Sequence, residues 1–483
     1  MSRDRCWVSG VRGRRGAGTK PTPVLLLFFL FLLSGCLGED NTPLPGLPPG
    51  VTNISNTDTV SFAPSTASIG SVVYIAWTDE GIGGDLDIFL SRSDDNGGAS
   101  FSAPINVSNS TDFSGNPKIA VSGTNVYVVW EEFVSALGER EIFLRRALDQ
   151  SGVLTWPFPF DTGGKNLSEF SKDCDDQLTP VPDPCPSQNA AIAVEGDNVF
   201  VAWAESTIYK IKPIPGSTAT DFELVNSDIL MISSSNKGDD FTFQGIPSLP
   251  NTGVVDQSPS QNPTLAADTI NKRLYIAWED FVQPGSKILF RTFNLLPNPS
   301  CLLPPCFTPL LTDPGTLLSG SIEGSNRPSL TAQGSDVFLL WEGFPSPTRN
   351  CPLLDAMGNP LPNSEIFLIQ ASNLPLNFIP ADFTPPADPL DGNLSNSPCS
   401  SNIGRIAVSG PDIFVIWVDN TPGLGGISFR QSLNGGVTFN PTETLINTGG
   451  SLGNTAIAAS GGNLFAFWED ALFGNFEIFF SRR

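Results

Sequence analysis

The chain has 483 residues, of which 40% are hydrophobic, so it is long enough to bury a large core. It contains no histidine, which excludes histidine general bases, Ser-His-Asp triads and histidine-ligated metal sites. The formal charge of −23 disfavours nucleic acid and anionic membranes as partners, because binding either one requires clustered lysine and arginine.

Residues 1–35 have the pattern of a secretory signal. A basic head precedes the apolar run 24–33, which is too short to span a bilayer comfortably. The ending Leu-Ser-Gly-Cys resembles the lipobox of bacterial lipoproteins, in which the cysteine is lipidated and becomes the new N-terminus. We therefore expect a lipid on Cys36 and a Pro- and Gly-rich tether over 36–50. The alternative is an ordinary signal peptide followed by an incidental cysteine.

Seven strand-like runs that end in tryptophan divide residues 51–483 into repeats. Successive tryptophans lie 51 to 76 residues apart, at Trp77, Trp130, Trp203, Trp278, Trp341, Trp417 and Trp468. A unit that recurs at such intervals is typical of a propeller or an array. The abundance of glycine and proline indicates short strands joined by turns. The sequence therefore predicts an all-β, seven-bladed β-propeller over 51–483.

The clearest repeat lies between residues 115 and 168. Its pattern predicts four strands, A to D, at 116–121, 126–130, 141–146 and 166–168. The last repeat lacks a strand D, whereas 51–55 has the strand D pattern. We therefore expect the N-terminal strand to complete the last blade, which closes the ring and removes an open sheet edge.

A Gly-containing turn recurs between strands C and D. It is clearest at 432–439, with related versions at 94–101, 149–156 and 234–241. These segments resemble the Asp-box, or BNR, repeat of sialidase-like propellers. In that turn, Asn or Asp caps the backbone, glycine takes a positive φ and an aromatic side chain plugs the blade. The resemblance covers about 51–483 and implies a sialidase-like propeller fold, but the motif is structural and implies no activity.

The resemblance does not extend to the catalytic set of sialidases, which comprises three arginines, a Tyr–Glu pair and an aspartate. The segment expected to carry the first arginine reads SFAPST at 61–66. Three of the four tyrosines fall inside strand B, where we expect them to serve the core. Tyr209 is left as the candidate, in a predicted loop.

Three basic residues begin or precede strand A in their repeats, close to the expected axis. Lys118, Arg327 and Arg405 are therefore candidate anion-binding residues. The alternative is that they are solvated charges at strand edges.

An acidic residue follows each tryptophan within two places. Because the B–C and D–A connections share one face of a propeller, these residues are predicted to form an acidic ring there: Asp79, Glu131, Glu205, Glu279, Glu342, Asp419 and Glu469. The long insertions 169–187, 204–227 and 342–364 open on the same face, where function usually lies. Such a ring suits a basic partner or a Ca²⁺ ion, and no other metal or cofactor is predicted. The alternative is that each carboxylate caps its own strand end and meets solvent, or pairs with the strand C arginine of its blade.

Six cysteines follow Cys36, and an even number in an exported protein predicts disulfides. Proximity favours Cys174–Cys185 and Cys301–Cys306, which leaves Cys351–Cys399. The last two fall in loops of the same predicted face.

These observations predict a monomeric, lipid-anchored protein of the cell envelope, outside the cytoplasm and at the outer membrane if the cell has one. We expect a non-catalytic module that binds a glycan or an envelope protein. One alternative is a divergent exo-sialidase or other glycoside hydrolase, and another is a structural scaffold of the envelope. Whether the chain is an enzyme is left open.

Overall fold

The computed structural model describes most of the repeat region, in the ranges 47–81, 84–94, 100–135, 139–161, 163–168, 186–211, 222–245, 258–268, 270–281, 285–295, 308–309, 316–345, 350–354, 360–375, 378–387, 389, 391–421 and 426–483. The predicted signal peptide, Cys36, most of the tether, and Cys174, Cys185, Cys301 and Cys306 lie outside these ranges. No helix in the described part of the chain has the length and hydropathy needed to cross a membrane.

The described residues form seven antiparallel blade sheets, one for each tryptophan repeat, and one separate two-stranded sheet. Blade 1 contains β2 (Ser61–Ile69), β3 (Val72–Glu80), β4 (Leu86–Ser93) and β5 (Ile105–Asn106). Blade 2 contains β6 (Phe113–Ser122), β7 (Asn125–Val134), β8 (Glu139–Gln150), β9 (Val153–Thr155) and β10 (Lys165–Asn166). Blade 3 contains β11 (Ser187–Glu195), β12 (Asn198–Ile211), β13 (Phe222–Ser234) and β14 (Thr242–Gly245).

The remaining blades follow the same order. Blade 4 contains β15 (Ser260–Asp268), β16 (Arg273–Asp280), β17 (Lys287–Asn294), β18 (Thr308–Pro309) and β19 (Thr316–Leu317). Blade 5 contains β20 (Glu323–Gln333), β21 (Asp336–Phe344) and β24 (Glu365–Ser372), with an inserted hairpin of β22 (Asn350–Leu354) and β23 (Pro360–Pro362). A short 3₁₀ turn follows at Pro380–Asp382. Blade 6 contains β25 (Ser401–Ser409), β26 (Asp412–Asp419), β27 (Gly426–Ser432) and β28 (Glu443–Ile446).

The N-terminal strand closes the ring. Blade 7 contains β29 (Leu452–Ser460), β30 (Asn463–Asp470), β31 (Glu477–Arg482) and β1 (Val51–Asn53). Strand β1 pairs antiparallel with β31, with Val51 opposite Ser481. The first strands of successive blades contact one another around a complete circle, from β2 through to β29 and back. The seven-bladed propeller and its closure by the N-terminal strand are therefore confirmed.

The tryptophans build the cores between blades. All seven are at most 2% exposed, and each shares a core with strand B of the preceding blade. Trp77 of blade 1, for example, packs with Phe467 of blade 7, so the ring closure is also a hydrophobic contact. Burying an aromatic side chain of this kind contributes roughly 1.5–3 kcal/mol. The predicted core tyrosines Tyr74, Tyr127 and Tyr275 are at most 2% exposed.

The recurring turn has the same hydrogen bonds in blades 3 and 6. In blade 6, the Gly436 N–H donates to Ser432 Oγ at 2.9 Å, and the Thr438 N–H donates to Asn434 Oδ1 at 3.0 Å. Ser234 and Asn236 accept the equivalent bonds in blade 3, at the same two distances. Gly436 has φ 85°, a left-handed conformation that favours glycine. The turn predicted from the sialidase-like pattern is confirmed in both blades.

The insertion in blade 3 differs from its prediction. Strands β12 and β13 stay in register beyond Trp203, as far as Ile211 opposite Phe222. Tyr209 pairs with Leu224 in this hairpin, so its placement in a loop was wrong. The unbroken ladder satisfies the backbone groups of an insertion that emerges from the blade.

Candidate anion-binding site

The innermost strand of every blade breaks register close to its start. Each pairing with strand B skips residues, for example between Gly115 and Lys118 in blade 2 and between Asn402 and Arg405 in blade 6. Such a bulge leaves residues unpaired and redirects their side chains. Six of the bulges contain a residue other than glycine at positive φ: Ala63, Asn116, Asn189, Asn262, Arg327 and Ile403.

Residues at the bulges of six blades, 2 to 7, line a single cavity of about 200 Å³. The innermost strands of six of the seven blades around the ring contribute lining residues. The cavity therefore lies on the propeller axis, at the end where these strands begin. Its walls are mostly polar and comprise Asn116, Lys118, Asn189, Ala190, Asn262, Pro263, Arg327, Pro328, Arg405 and Asn454.

The three basic residues selected from the sequence meet in this cavity. Lys118, Arg327 and Arg405 come from blades 2, 5 and 6 and all contribute to its wall. Burial, together with the neighbouring charge of Arg405, lowers the pKa of Lys118 from 10.5 to about 8. Burial also lowers the pKa of Arg405, and Arg327 adds to this effect. The cavity wall therefore carries three cationic side chains in a chain whose net charge is −23.

Four glutamates lie directly behind the cavity wall. Each follows a tryptophan and binds a side chain at the bulge of its own blade. The pairs are Asn116 Nδ2–Glu131 Oε1 at 3.1 Å, Asn262 Nδ2–Glu279 Oε2 at 2.9 Å, Arg327 Nη1–Glu342 Oε2 at 3.4 Å and Asn454 Nδ2–Glu469 Oε1 at 2.7 Å.

The same glutamates reach the next blade around the ring. Glu131 accepts the backbone N–H of Asn189 at 2.8 Å, and Glu342 accepts that of Ile403. Glu279 accepts the N–H of Arg327, and Glu469 accepts that of Ala63. Burial raises the pKa of Glu279 and of Glu342, although Arg327 partly offsets the effect at both. Each carboxylate therefore positions two neighbouring bulges and with them the cavity wall.

The prediction of a solvent-facing acidic ring is wrong. Its seven members are only 4–8% exposed: Asp79, Glu131, Glu205, Glu279, Glu342, Asp419 and Glu469. Besides the four glutamates above, Asp79 and Glu205 accept the indole N–H of the tryptophan two places earlier, at 3.0 and 2.8 Å. Asp419 accepts the Thr421 N–H at 2.9 Å. Spacing alone placed these acids at the correct end of the blades but did not reveal that neighbouring strands cover them.

A ring of Ca²⁺ ligands is not formed either. Within the described ranges, no three His, Cys, Asp or Glu residues cluster in a way that suits a metal ion. The carboxylates that follow the tryptophans bind peptide, amide, indole and guanidinium groups instead.

The asparagines of the cavity were missed by the sequence reasoning. A signal for them exists, because Asn116 and Asn262 each precede a proline at the start of strand A, and Arg327 does the same. Proline has no N–H for a central ladder and is found at bulges. Repeated Asn-Pro and Arg-Pro pairs therefore mark the positions that turn toward the axis.

A disulfide ties two connections on the cavity side of the propeller. Cys351 in β22 is bonded to Cys399, which precedes blade 6, with Cα atoms 4.5 Å apart. This is the pair that remained after proximity matched the other four cysteines.

No protein-family profile and no curated protein sequence matches the chain. Among solved structures, a polysaccharide lyase, an ulvan lyase, aligns over 89% of this chain and 95% of its own, with 11% identity and a TM-score of 0.50. The endosialidase of phage phi92 aligns over 89% of this chain and 68% of its own, with 11% identity and a TM-score of 0.44. The sialidase of Trypanosoma rangeli aligns over 90% and 60%, with 8% identity and a TM-score of 0.42. At these identities, the ulvan lyase alignment supports the β-propeller fold alone.

Proposed function

We propose that this protein is a non-catalytic glycan-binding module that holds the acidic group of a sugar in its axial cavity. The convergence of Lys118, Arg327 and Arg405 on one cavity carries this proposal. Arg327 is already paired with the Glu342 carboxylate, whereas Lys118 Nζ and Arg405 Nη1 each donate to the backbone carbonyl of the preceding residue. A bound carboxylate or sulfate would provide the charged partner for these two side chains. Arginine suits the role because its planar fork matches such groups with two parallel hydrogen bonds.

The remainder of the wall suits a sugar. Asn116, Asn262 and Asn454 each use one amide N–H to bind a glutamate, and an amide group has further donor and acceptor capacity for hydroxyls. The cavity of about 200 Å³ has room for about one pyranose ring. A net charge of −23 repels long polyanions, so the occupant we propose is one acidic sugar or a short oligosaccharide. An ulvan lyase of similar fold acts on a polysaccharide, but the proposal depends on the cavity and not on that likeness.

Calorimetric titration with glucuronate tests this function, with glucose as the uncharged comparison. The wild type is expected to bind glucuronate and not glucose. Arg405→Met and Lys118→Met, which retain the apolar stems, are expected to weaken binding by about tenfold or more each. Lys237→Met is the matched control, because Lys237 is exposed and lies in the turn on the opposite face. Equal binding of glucose, or unchanged affinity in both cavity variants, contradicts the proposal.

Product analysis separates binding from catalysis. Incubation with a glucuronide and a sialoside is expected to leave both intact. Release of sugar that is lost in Arg405→Met shows a glycosidase of the divergent class instead. Co-purification with one envelope protein, without sugar binding, supports the scaffold alternative.

We also propose that the module is held at the cell envelope by a lipid on Cys36, outside the cytoplasm. Support for this comes from the sequence pattern of residues 1–36. Cys36→Ala is expected to abolish palmitate labelling and to release the protein from membranes. Membrane attachment that survives the substitution contradicts the anchor.

A further inference from the structure

Two exposed phenylalanines lie beside the cavity in blade 2. Phe113 is 49% exposed and Phe133 is 38% exposed. They are direct register partners across β6 and β7, so their side chains stand next to each other on the same side of the sheet. Among the described residues, neither ring belongs to any of the seven hydrophobic cores. The two exposed rings form a small apolar surface on this blade.

An arginine lies next to the two phenylalanines on the same side of the sheet. Arg140 on β8 is the register partner of Phe133, and its side chain is 42% exposed. Its guanidinium lies 3.4 Å from the Glu131 carboxylate, which leaves other N–H groups of the fork directed away from that contact. We refer to Phe113, Phe133 and Arg140 as the blade 2 shelf.

The shelf is continuous with the cavity through Glu131. Residues two apart in a strand share a side of the sheet, so Glu131 and Phe133 project in the same direction. Glu131 also binds Asn116 of the cavity wall at 3.1 Å. Two residues of strand span about 7 Å, so the shelf begins roughly one sugar unit from the wall.

We propose that the blade 2 shelf binds the second sugar of an acidic oligosaccharide whose first, charged sugar occupies the axial cavity. This inference rests on the proposed function and adds a direction and a second subsite to it. The C–H face of a pyranose packs against the Phe113 and Phe133 rings, while Arg140 donates to a hydroxyl at the edge of the sugar ring.

Charge and size favour a sugar over a protein surface at this position. The apolar part is limited to two rings, and polar groups flank it, including Asp112, which accepts a hydrogen bond from Ser135. Arg140, which is paired with Glu131, offers its remaining N–H groups as donors at the outer edge of the shelf. A mixed aromatic and cationic strip beside an anion site complements an acidic sugar followed by a neutral one.

The test compares glucuronate with cellobiouronic acid, in which glucuronate is linked to glucose. The wild type is expected to bind the disaccharide roughly three- to tenfold more tightly than the monosaccharide. Phe113→Ala and Phe133→Ala are expected to remove this gain and to leave the affinity for glucuronate unchanged. Phe281→Ala is the matched control, because Phe281 is 41% exposed and follows its tryptophan by the same three places as Phe133.

The possible outcomes distinguish a failure of the shelf from a failure of the cavity proposal. Equal affinity of the wild type for both sugars, or a gain that survives both alanine variants, overturns the shelf while the cavity proposal stands. Absence of glucuronate binding overturns both. If an alanine variant fails to fold, Phe113→Leu keeps the apolar volume without the flat ring. It is expected to fold and to lose the disaccharide gain, and a retained gain overturns the shelf.

Discussion

Glu469 in the last blade accepts the backbone N–H of Ala63 in the first blade. Glu131 makes the same contact with Asn189, and Glu342 makes it with Ile403. In each case a carboxylate at the end of strand B holds the bulge of the following blade. The glutamates therefore join the blades and shape the axial cavity at the same time.

Removal of Glu469 is expected to destabilise the ring at its closure. Glu469→Ala leaves the Ala63 N–H and the Asn454 amide without this acceptor, which costs about 1–3 kcal/mol of unfolding free energy. Glu469→Gln keeps an oxygen acceptor and is expected to lose less. Urea denaturation measures both, with the half-exposed Glu443→Ala as the control. If Glu469→Ala loses no more unfolding free energy than Glu443→Ala, the Glu469 contact does not stabilise the closure of the ring.

The N-terminal closure predicts a pH dependence. The Ser55 hydroxyl donates to the Glu477 carboxylate and accepts the Ile478 N–H at 2.9 Å. Burial raises the pKa of Glu477 above its ordinary 4.5, so the folded protein retains a proton that the unfolded chain has lost. This stabilisation is complete below the unfolded pKa and is lost as the pH rises through the folded pKa.

The wild type is therefore expected to gain stability relative to Glu477→Gln as the pH falls from neutral toward the ordinary pKa of 4.5. Denaturation curves of the two proteins across that range measure the difference. Parallel pH profiles show that Glu477 does not titrate in this way.

The disulfide predicts a stability difference between oxidised and reduced protein. Cys351 and Cys399 are 48 residues apart, and closing a loop of that size stabilises the fold by about 4 kcal/mol in the chain-entropy description. The double variant Cys351→Ser, Cys399→Ser is expected to melt at a lower temperature and to show no further change with reductant. An unchanged melting temperature would show that this bond does not stabilise the fold.

The lowered pKa of Lys118 leads us to expect that ligand binding weakens in alkaline solution. Its pKa of about 8 in the free protein means that the cavity loses a positive charge as the pH rises through that value. A bound carboxylate favours the charged amine, so affinity for glucuronate is expected to fall by about tenfold between pH 7 and 9.5. Lys118→Arg keeps its charge over this range and is expected to bind with a flat profile. If the wild-type affinity for glucuronate is equally independent of pH, Lys118 does not contribute a titrating charge to binding.

The fold was predictable because its signals are local and periodic. Each tryptophan run carries its own strand pattern, and turns such as 432–439 specify their backbone through Ser432, Asn434 and Gly436. The cavity was predictable only in part. Lys118, Arg327 and Arg405 were found because their charge is unusual near an inner strand, whereas Asn116 and Asn262 are marked only by the proline that follows each of them.

The acids show why the rest could not be predicted. Glu131 and Glu469 stand next to a strand end, where a carboxylate ordinarily meets solvent. Their burial depends on a bulge in another blade, at Asn189 and Ala63, far away in sequence. Neither residue spacing nor composition reports a contact between blades at this distance along the chain.

A crystal structure of the protein with glucuronate is the most direct test of the central claim. The carboxylate is expected in the axial cavity, with its oxygens about 3 Å from the Arg405 guanidinium and the Lys118 amine. Glucuronate bound on the opposite face, or bound in the cavity with its carboxylate directed away from both cations, contradicts the assignment.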